Sequence, residues 1–151
     1  MTEVWTPTNG CAADPSVDAV GGPAGYWHSY GYDPAGNRKS EKIHTVYGDT
    51  DRSYTSLAPT AMGKGRPHAL SQVVTATPFD AATTVAYGYD AAGNLTSRNT
   101  SGPGSSVSEA FNFDAEGHLA STTTNSKTNS AYVYDADGDR LIKKENGKAT
   151  L

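Results

Sequence analysis

The sequence predicts an all-β fold of stacked antiparallel hairpins forming one open, curved sheet. Three observations predict it. The first is a phrase written four times: Tyr30-Gly31-Tyr32-Asp33-Pro34-Ala35-Gly36-Asn37, Tyr87-Gly88-Tyr89-Asp90-Ala91-Ala92-Gly93-Asn94, Phe111-Asn112-Phe113-Asp114-Ala115-Glu116-Gly117-His118 and Tyr132-Val133-Tyr134-Asp135-Ala136-Asp137-Gly138-Asp139. The second is composition. Leu, Ile, Val and Phe supply only 20 of 151 residues, while nine Tyr and two Trp supply apolar surface in an amphipathic form. The third is punctuation: sixteen Gly and eight Pro demand many turns and leave little room for helices.

Each phrase reads as strand, tight turn, strand. Aromatic residues two apart lie on one face of a strand. Asp suits the first position of a type I turn, and a Gly three residues later tolerates the positive φ where the chain enters the return strand. Pro34 stands where its fixed φ fits. The Gly is expected to form a bulge of the kind found in longer hairpin loops.

Residues 1–25 read as an incomplete preceding repeat followed by a loop. Thr2-Glu3-Val4-Trp5 is strand-like, with no hairpin partner before it, and Gly21-Gly22-Pro23 centres a stretch rich in Gly, Ala and Pro. Residues 26–145 read as the repeat region. Residues 26–32 alternate into the first turn, and residues 38–46 return. Residues 47–67, punctuated by Asp49, Asp51, Pro59, Gly63, Gly65 and Pro67, read as an irregular insertion with at most short strands. Residues 68–76 are a better strand. Residues 83–89, 107–113 and 131–134 enter the later turns; residues 95–98, 119–124 and 140–145 leave them. A Ser/Gly/Pro loop is expected at 99–106 and a polar turn at 125–129. Residues 146–151 read as the start of a further unit, opened by Asn146-Gly147.

The repeat aspartates are spaced by 57, 24 and 21 residues. The last two spacings suit a repeat architecture. The first gap has room for a unit whose phrase has decayed, with residues 68–76 as its remnant. A lone two-stranded hairpin cannot bury its own face, so hairpins must lie side by side.

A pI near 5.4 and the absence of a basic run argue against nucleic acid or an anionic membrane as partner. No window is long and apolar enough for a membrane-spanning helix. The N-terminus shows no signal-peptide pattern, and the single Cys11 has no internal partner. His28, His44, His68 and His118 lack the spacing of a zinc site and read as scattered surface residues. The run Asp135-Ala136-Asp137-Gly138-Asp139 fails the EF-hand pattern, because Arg140 and Asn146 fall where Gly and Glu are required. No nucleophile elbow, phosphate loop or dinucleotide fingerprint is present. No catalytic residue, metal site or cofactor is expected.

Two sets of candidate functional residues remain. The turn pairs Asp33 and Gly36, Asp90 and Gly93, Asp114 and Gly117, and Asp135 and Gly138 are assigned to turn formation, each carboxylate accepting backbone N–H bonds of its own turn. Tyr30, Tyr32, Tyr87, Tyr89, Phe111, Phe113, Tyr132 and Tyr134 are expected to form aromatic ladders across neighbouring hairpins, or a ligand-binding face. Packing is the favoured role for them, and stacking on sugar rings is the alternative.

These residues resemble the YD repeats of Rhs proteins, whose relatives include teneurins and the shell-forming components of bacterial insecticidal toxin complexes. The Tyr-Asp pairs are Tyr32-Asp33, Tyr89-Asp90 and Tyr134-Asp135, with Phe113-Asp114 as a close variant. The stretches Thr2 to Pro7, Gly21-Gly22-Pro23 and Tyr26-Trp27-His28-Ser29-Tyr30 are similar to spacers in long wall-associated proteins of actinobacteria. The resemblance implies a partial Rhs shell: a non-enzymatic wall that encloses a toxin or other cargo in a longer protein, secreted or held in the cell envelope. The implied partners are the rest of that shell, its cargo and, in the alternative reading, a cell-surface glycan. The chain departs from the family pattern by starting on the second strand of a missing repeat, by having too few units to close a shell, and by ending before a core motif, autoproteolytic aspartates or a toxin domain. It therefore reads as a piece of such a protein.

Overall fold

The computed structural model describes residues 2–12, 14–58, 66, 68–145 and 147–151. The fold is all-β, with twelve strands and one short 3-10 turn at Val17–Ala19 among the described residues. It divides into two compact units, Met1–Thr84 and Val85–Leu151.

The first unit is built on β1 (Thr2–Trp5), β2 (Trp27–Tyr32), β3 (Arg38–Ile43), β4 (Thr50–Ser56) and β5 (Leu70–Ala76), each antiparallel to the next. Strand β6 (Thr83–Tyr89) leads into the second unit. There it is followed by β7 (Leu95–Gly102), β8 (Ser105–Phe113), β9 (Leu119–Thr124), β10 (Lys127–Tyr134), β11 (Arg140–Glu145) and β12 (Lys148–Thr150). Within each unit, strand order in the sheet is chain order, as stacked hairpins require. Among the described residues, strands β1 and β12 each have a single neighbour.

Among the described residues neither unit has an apolar core. Among the described residues no apolar side chain is buried, and the buried residues are polar: Ser29, Glu41 and Ser130. Backbone ladders and side-chain ties across strands therefore carry the stability that a globular domain draws from apolar burial.

Several boundaries differ from the sequence expectation. The segment expected to be irregular at 47–67 contains the seven-residue strand β4. Its sequence has almost no apolar alternation, so pattern reading passes over it. Cross-strand charge holds it instead: Lys42 Nζ lies 2.7 Å from Asp51, and Arg52 lies 3.1 Å from Glu41. The rest of that expectation, residues 59–65 and 67, lies outside the described residues. The loop expected at 99–106 is a tight turn instead, because β7 runs on to Gly102 and β8 starts at Ser105. Polar side chains knit these strands, as when Ser108 Oγ donates to Asn99 Oδ1 at 2.8 Å. Strand β1 pairs with β2 across the intervening loop, and the short β12 pairs with β11.

The residue between the two aromatics of each phrase faces the residue seven positions after its Asp. The register sets Gly31 opposite Ser40, Asn112 opposite Ser121 and Val133 opposite Ile142. A methyl group added at Gly88 would collide with Ser97 Oγ, and one at Gly31 with Ser40 Oγ. Small faces small, polar faces polar (Asn112 donates to Ser121 at 3.1 Å) and branched faces branched. Gly88→Ala is therefore expected to cost about 1 kcal/mol, as small overpacking does. With Ser97→Ala added, the nearest remaining atom is the residue 97 Cβ at 3.7 Å, an ordinary contact, and the loss should vanish. A double-mutant cycle by urea denaturation measures this coupling; additive losses would contradict the pairing.

Candidate functional site

The four turns share one hydrogen-bond pattern. The Asp N–H donates to the carbonyl four residues on, at 2.9 Å for Asp33 and Asp114 and 3.0 Å for Asp90 and Asp135. The Asp carbonyl accepts from the Gly N–H, at 3.0 Å for Gly36, 3.3 Å for Gly93 and 3.2 Å for Gly117 and Gly138. These glycines have φ of +85°, +107°, +90° and +88°. Because the Gly takes the Asp carbonyl, the next N–H is left without its ladder partner. The Asp side chain supplies one. Oδ1 accepts from the N–H of Asn37, Asn94, His118 and Asp139 at 2.8, 2.9, 2.8 and 2.9 Å. Asp and Gly are thus two halves of one device.

Two of the four carboxylates carry a clear shift in acidity. Asp33 is held below the usual carboxylate range, first by the Asn37 side chain and then by the Asn37 backbone N–H. For Asp90 burial is the largest influence and acts upward; the Asn94 side chain and the N–H groups of Asn94, Gly93 and Ala92 outweigh it, so the net shift is downward.

A second irregularity follows the turn. Lys39, Ala120 and Leu141 have no counterpart on the facing strand: Gly31 pairs with Ser40 but Tyr32 with Arg38, and the other two hairpins repeat this skip. The extra residue brings positions 38 and 41 onto the same face. Arg38 consequently lies over the Tyr30 ring at 4.9 Å and 3.9 Å from Glu41. Arg140 repeats the placement over Tyr132, at 5.9 Å.

The expected aromatic ladder takes a different form. Among the described residues, no ring-to-ring contact joins the phrase aromatics of one hairpin to those of another; the contacts are Tyr26–His28, Trp27–His44, His28–Tyr30 and His118–Tyr134. The reason is spacing. On β6, β8 and β10 successive phrases sit two strands apart, about 9.5 Å, and the strand between contributes other residues; between the phrases on β2 and β6 three strands intervene. Tyr30 faces Glu41, Phe111 faces Thr122 and Tyr132 faces Lys143.

The space between one turn and the next aromatic pair is a groove, and the second unit has two of matching build. One, about 480 Å³, is lined by Asp90, Asn94, Phe111, Phe113, Asp114 and Glu116 among others. The other, about 580 Å³, is lined by Asp114, Glu116, His118, Tyr132, Tyr134 and Asp135 among others. In phrase coordinates the two are alike: the Asp of one turn, the residues two and four beyond it, then the aromatic pair and Asp of the next. The structure thus joins the two sets of candidate residues that the sequence kept apart. A smaller groove in the first unit, about 290 Å³, is lined by Asn37, Arg38, Tyr54, Ser56, His68 and Leu70. Tyr30, Tyr32, Tyr87 and Tyr89 line none of these three grooves.

Two polar clusters were missed from the sequence. Glu41, 6% exposed, accepts from Tyr54 Oη at 2.6 Å and from Arg52 Nη1 at 3.1 Å. Its oxygens also lie 3.9 Å from Arg38 Nη1 and 3.7 Å from His28 Nδ1. Burial is the largest influence on its acidity and acts upward. Hydrogen bonds from Tyr54 and Arg52, with the charges of Arg52 and Arg38, overcome it and bring the pKa below the usual value. Burial, followed by the neighbouring Glu41, raises Tyr54.

The second cluster lies on the opposite face. Ser29 Oγ is 2.7 Å from His44 Nε2, and His44 Nδ1 is 3.2 Å from Asp49 Oδ1. This is the order of a nucleophile, a base and an orienting acid. However, Ser29 is 3% exposed and its Oγ donates to Glu3 Oε1 at 3.2 Å. A carboxylate beside the oxygen opposes the negative charge that attack on a carbonyl would develop. We read the array as a tie holding β1, β2 and β3 together, capped by Trp27 stacked on His44 at 3.7 Å. His44, read from the sequence as a surface residue, is therefore enclosed, because strand pairing and not sequence spacing brings its partners together. His68 is also engaged, its Nδ1 2.7 Å from Asn37 Oδ1.

One signal for the cross-strand pairs was available in the sequence. Aligning the four phrases seven residues past each Asp sets Ser opposite Gly31, Gly88 and Asn112, and Ile opposite Val133. Glu41 and Ser29 carry no such signal, since their partners come from strands outside the phrase. Among the described residues no cluster of His, Cys, Asp and Glu could hold a metal ion, and no helix is long and apolar enough to cross a membrane. Comparison with protein-family models and with curated proteins finds no match for this chain.

Proposed function

We propose that this chain is a non-enzymatic structural module, a run of YD hairpins that forms part of the wall of an Rhs-type shell around a toxin or other cargo. One observation carries the reading: the hairpins follow in chain order, turned by one repeated Asp–Gly device, with no buried apolar residue among those described. A single layer of this kind is a poor free-standing globule and a good wall, because each hairpin adds to the array by the same contacts. The open strands β1 and β12 leave ladder groups free for further hairpins. The repeat resemblance supplies the cargo.

The test is protection. In a longer polypeptide carrying these repeats, deleting the hairpin of β8 and β9 should expose the enclosed segment to added protease while the remaining repeats stay folded. Unchanged protection would overturn the reading. The glycan alternative is separated by titrating the chain with envelope oligosaccharides and following Trp5 and Trp27 fluorescence: a saturable response favours it, and a flat response favours the wall.

A further inference from the structure

We propose that the two matching grooves of the second unit form a docking surface for a basic, extended polypeptide with a lysine or arginine at every third residue. The proposal goes beyond the wall reading and does not depend on it. Cargo protection can fail while peptide binding persists, and the reverse.

The chemistry of the grooves selects a cation. Each has an aromatic pair as floor and carboxylates at its rim, with Asp114 and Glu116 shared by both. The chain already shows what such a ring accepts: Arg140 lies over Tyr132, and in the first unit Arg38 lies over Tyr30. Both arginines stand five residues after the turn Asp. In the third phrase that position is Leu119, so Phe111 receives no arginine from its own hairpin. The Glu116 carboxylate has no ion-pair partner among the described residues; the Glu116 backbone N–H donates to Asp114 Oδ1. Three basic side chains of this unit are already engaged: Arg98 with Glu109, His118 with Asp114 and Lys143 with Glu145. A cation supplied from outside would therefore meet the Phe111 ring and the Glu116 carboxylate without displacing an ion pair among the described residues, and in the second groove would share Tyr132 with Arg140 and Asp114 with His118.

Spacing selects the conformation. Successive turns are two strands apart, so the grooves repeat at about 9.5 Å. A polyproline II chain rises about 3.1 Å per residue and turns once in three residues, which puts every third side chain on one side about 9.3 Å apart. A regular β-strand would send alternate members of such a series to opposite sides.

The experiment is fluorescence anisotropy with the whole chain and three labelled peptides: Arg-Pro-Pro repeats, the same residues with all arginines in one block, and Glu-Pro-Pro repeats. The spaced basic peptide should bind about tenfold tighter than the block peptide, since only it fills both grooves at once. Glu116→Lys should weaken binding about tenfold. Phe111→Leu should weaken it roughly threefold by removing the ring face. Circular dichroism of both variants checks that the strands persist. Equal affinity for spaced and block peptides, no response to Glu116→Lys in a folded variant, or preference for the acidic peptide or a neutral oligosaccharide would each overturn the proposal.

Discussion

A Gly93→Val variant should melt far earlier than Ala92→Val, although the two positions are neighbours in one exposed turn. Gly93 has φ of +107°, a region that a β-branched residue enters only under strain. The strain has no local escape. Gly93 N–H donates to both the carbonyl and Oδ1 of Asp90, and the next residue, Asn94, is tied to the same carboxylate. Relaxing φ would break those bonds and shift the register of β6 and β7. A non-glycine residue held in such a conformation costs about 1–3 kcal/mol, and Val belongs at the upper end. At about 2–4 °C per kcal/mol for a chain of this size, the midpoint should fall by roughly 5–10 °C. Ala92→Val should stay within about 0.5 kcal/mol, as surface changes do. Thermal scans of both variants decide the matter, and equal losses would remove the conformational argument.

The second large effect concerns Glu41. Glu41→Gln keeps the volume and removes the charge, leaving Arg38 and Arg52 facing a neutral amide that also bonds Tyr54 less strongly. Breaking a fully buried ion pair from one side costs about 3–5 kcal/mol. Here the arginines are 44% and 40% exposed and recover part of their hydration. A loss of about 2 kcal/mol is expected on this discounted scale. The pH dependence gives a separate check. The folded-state pKa of Glu41 is depressed, so its contribution is present above the unfolded value of about 4.3 and is lost as pH falls through the lower folded value. The wild-type chain should lose stability over that acid window, and Glu41→Gln should lose less. Asp33, Asp90 and Glu109 are depressed as well and will keep part of the slope in the variant. Urea midpoints between neutral and acid pH measure both curves; identical acid slopes would show that the carboxylate adds nothing to the first unit.

The two predictions draw on different kinds of information. Gly93 is legible in the sequence because its constraint is local. An Asp and a Gly three residues apart, after two aromatics on one face, specify a turn without reference to the rest of the chain, and four copies identify the all-β hairpin array. The same local logic located β2, β3 and the strands around each later phrase. It did not reach β4, the ends of β7 and β8, or the start of β10, which begins at Lys127 inside the polar turn expected at 125–129. Those strands are polar, and a polar strand has no apolar period to read; Lys42 to Asp51 and Ser108 to Asn99 make it a strand.

Glu41 illustrates what the sequence leaves open. Nothing in Ser40-Glu41-Lys42 marks the middle residue for burial beneath two arginines and a tyrosine. That environment exists because a one-residue skip at Lys39 turns Arg38 to the same side and because β4 lies against β3. The grooves have the same origin, since each takes its rim from one phrase and its floor from the next. By itself the sequence determined the hairpins and the residues that turn them, because a turn closes over a few bonds of a single stretch of chain. Only the tertiary structure decided which rings, carboxylates and hydroxyls would meet, because in a sheet with no buried apolar residue among those described, those meetings depend on register, and register depends on every strand pairing at once.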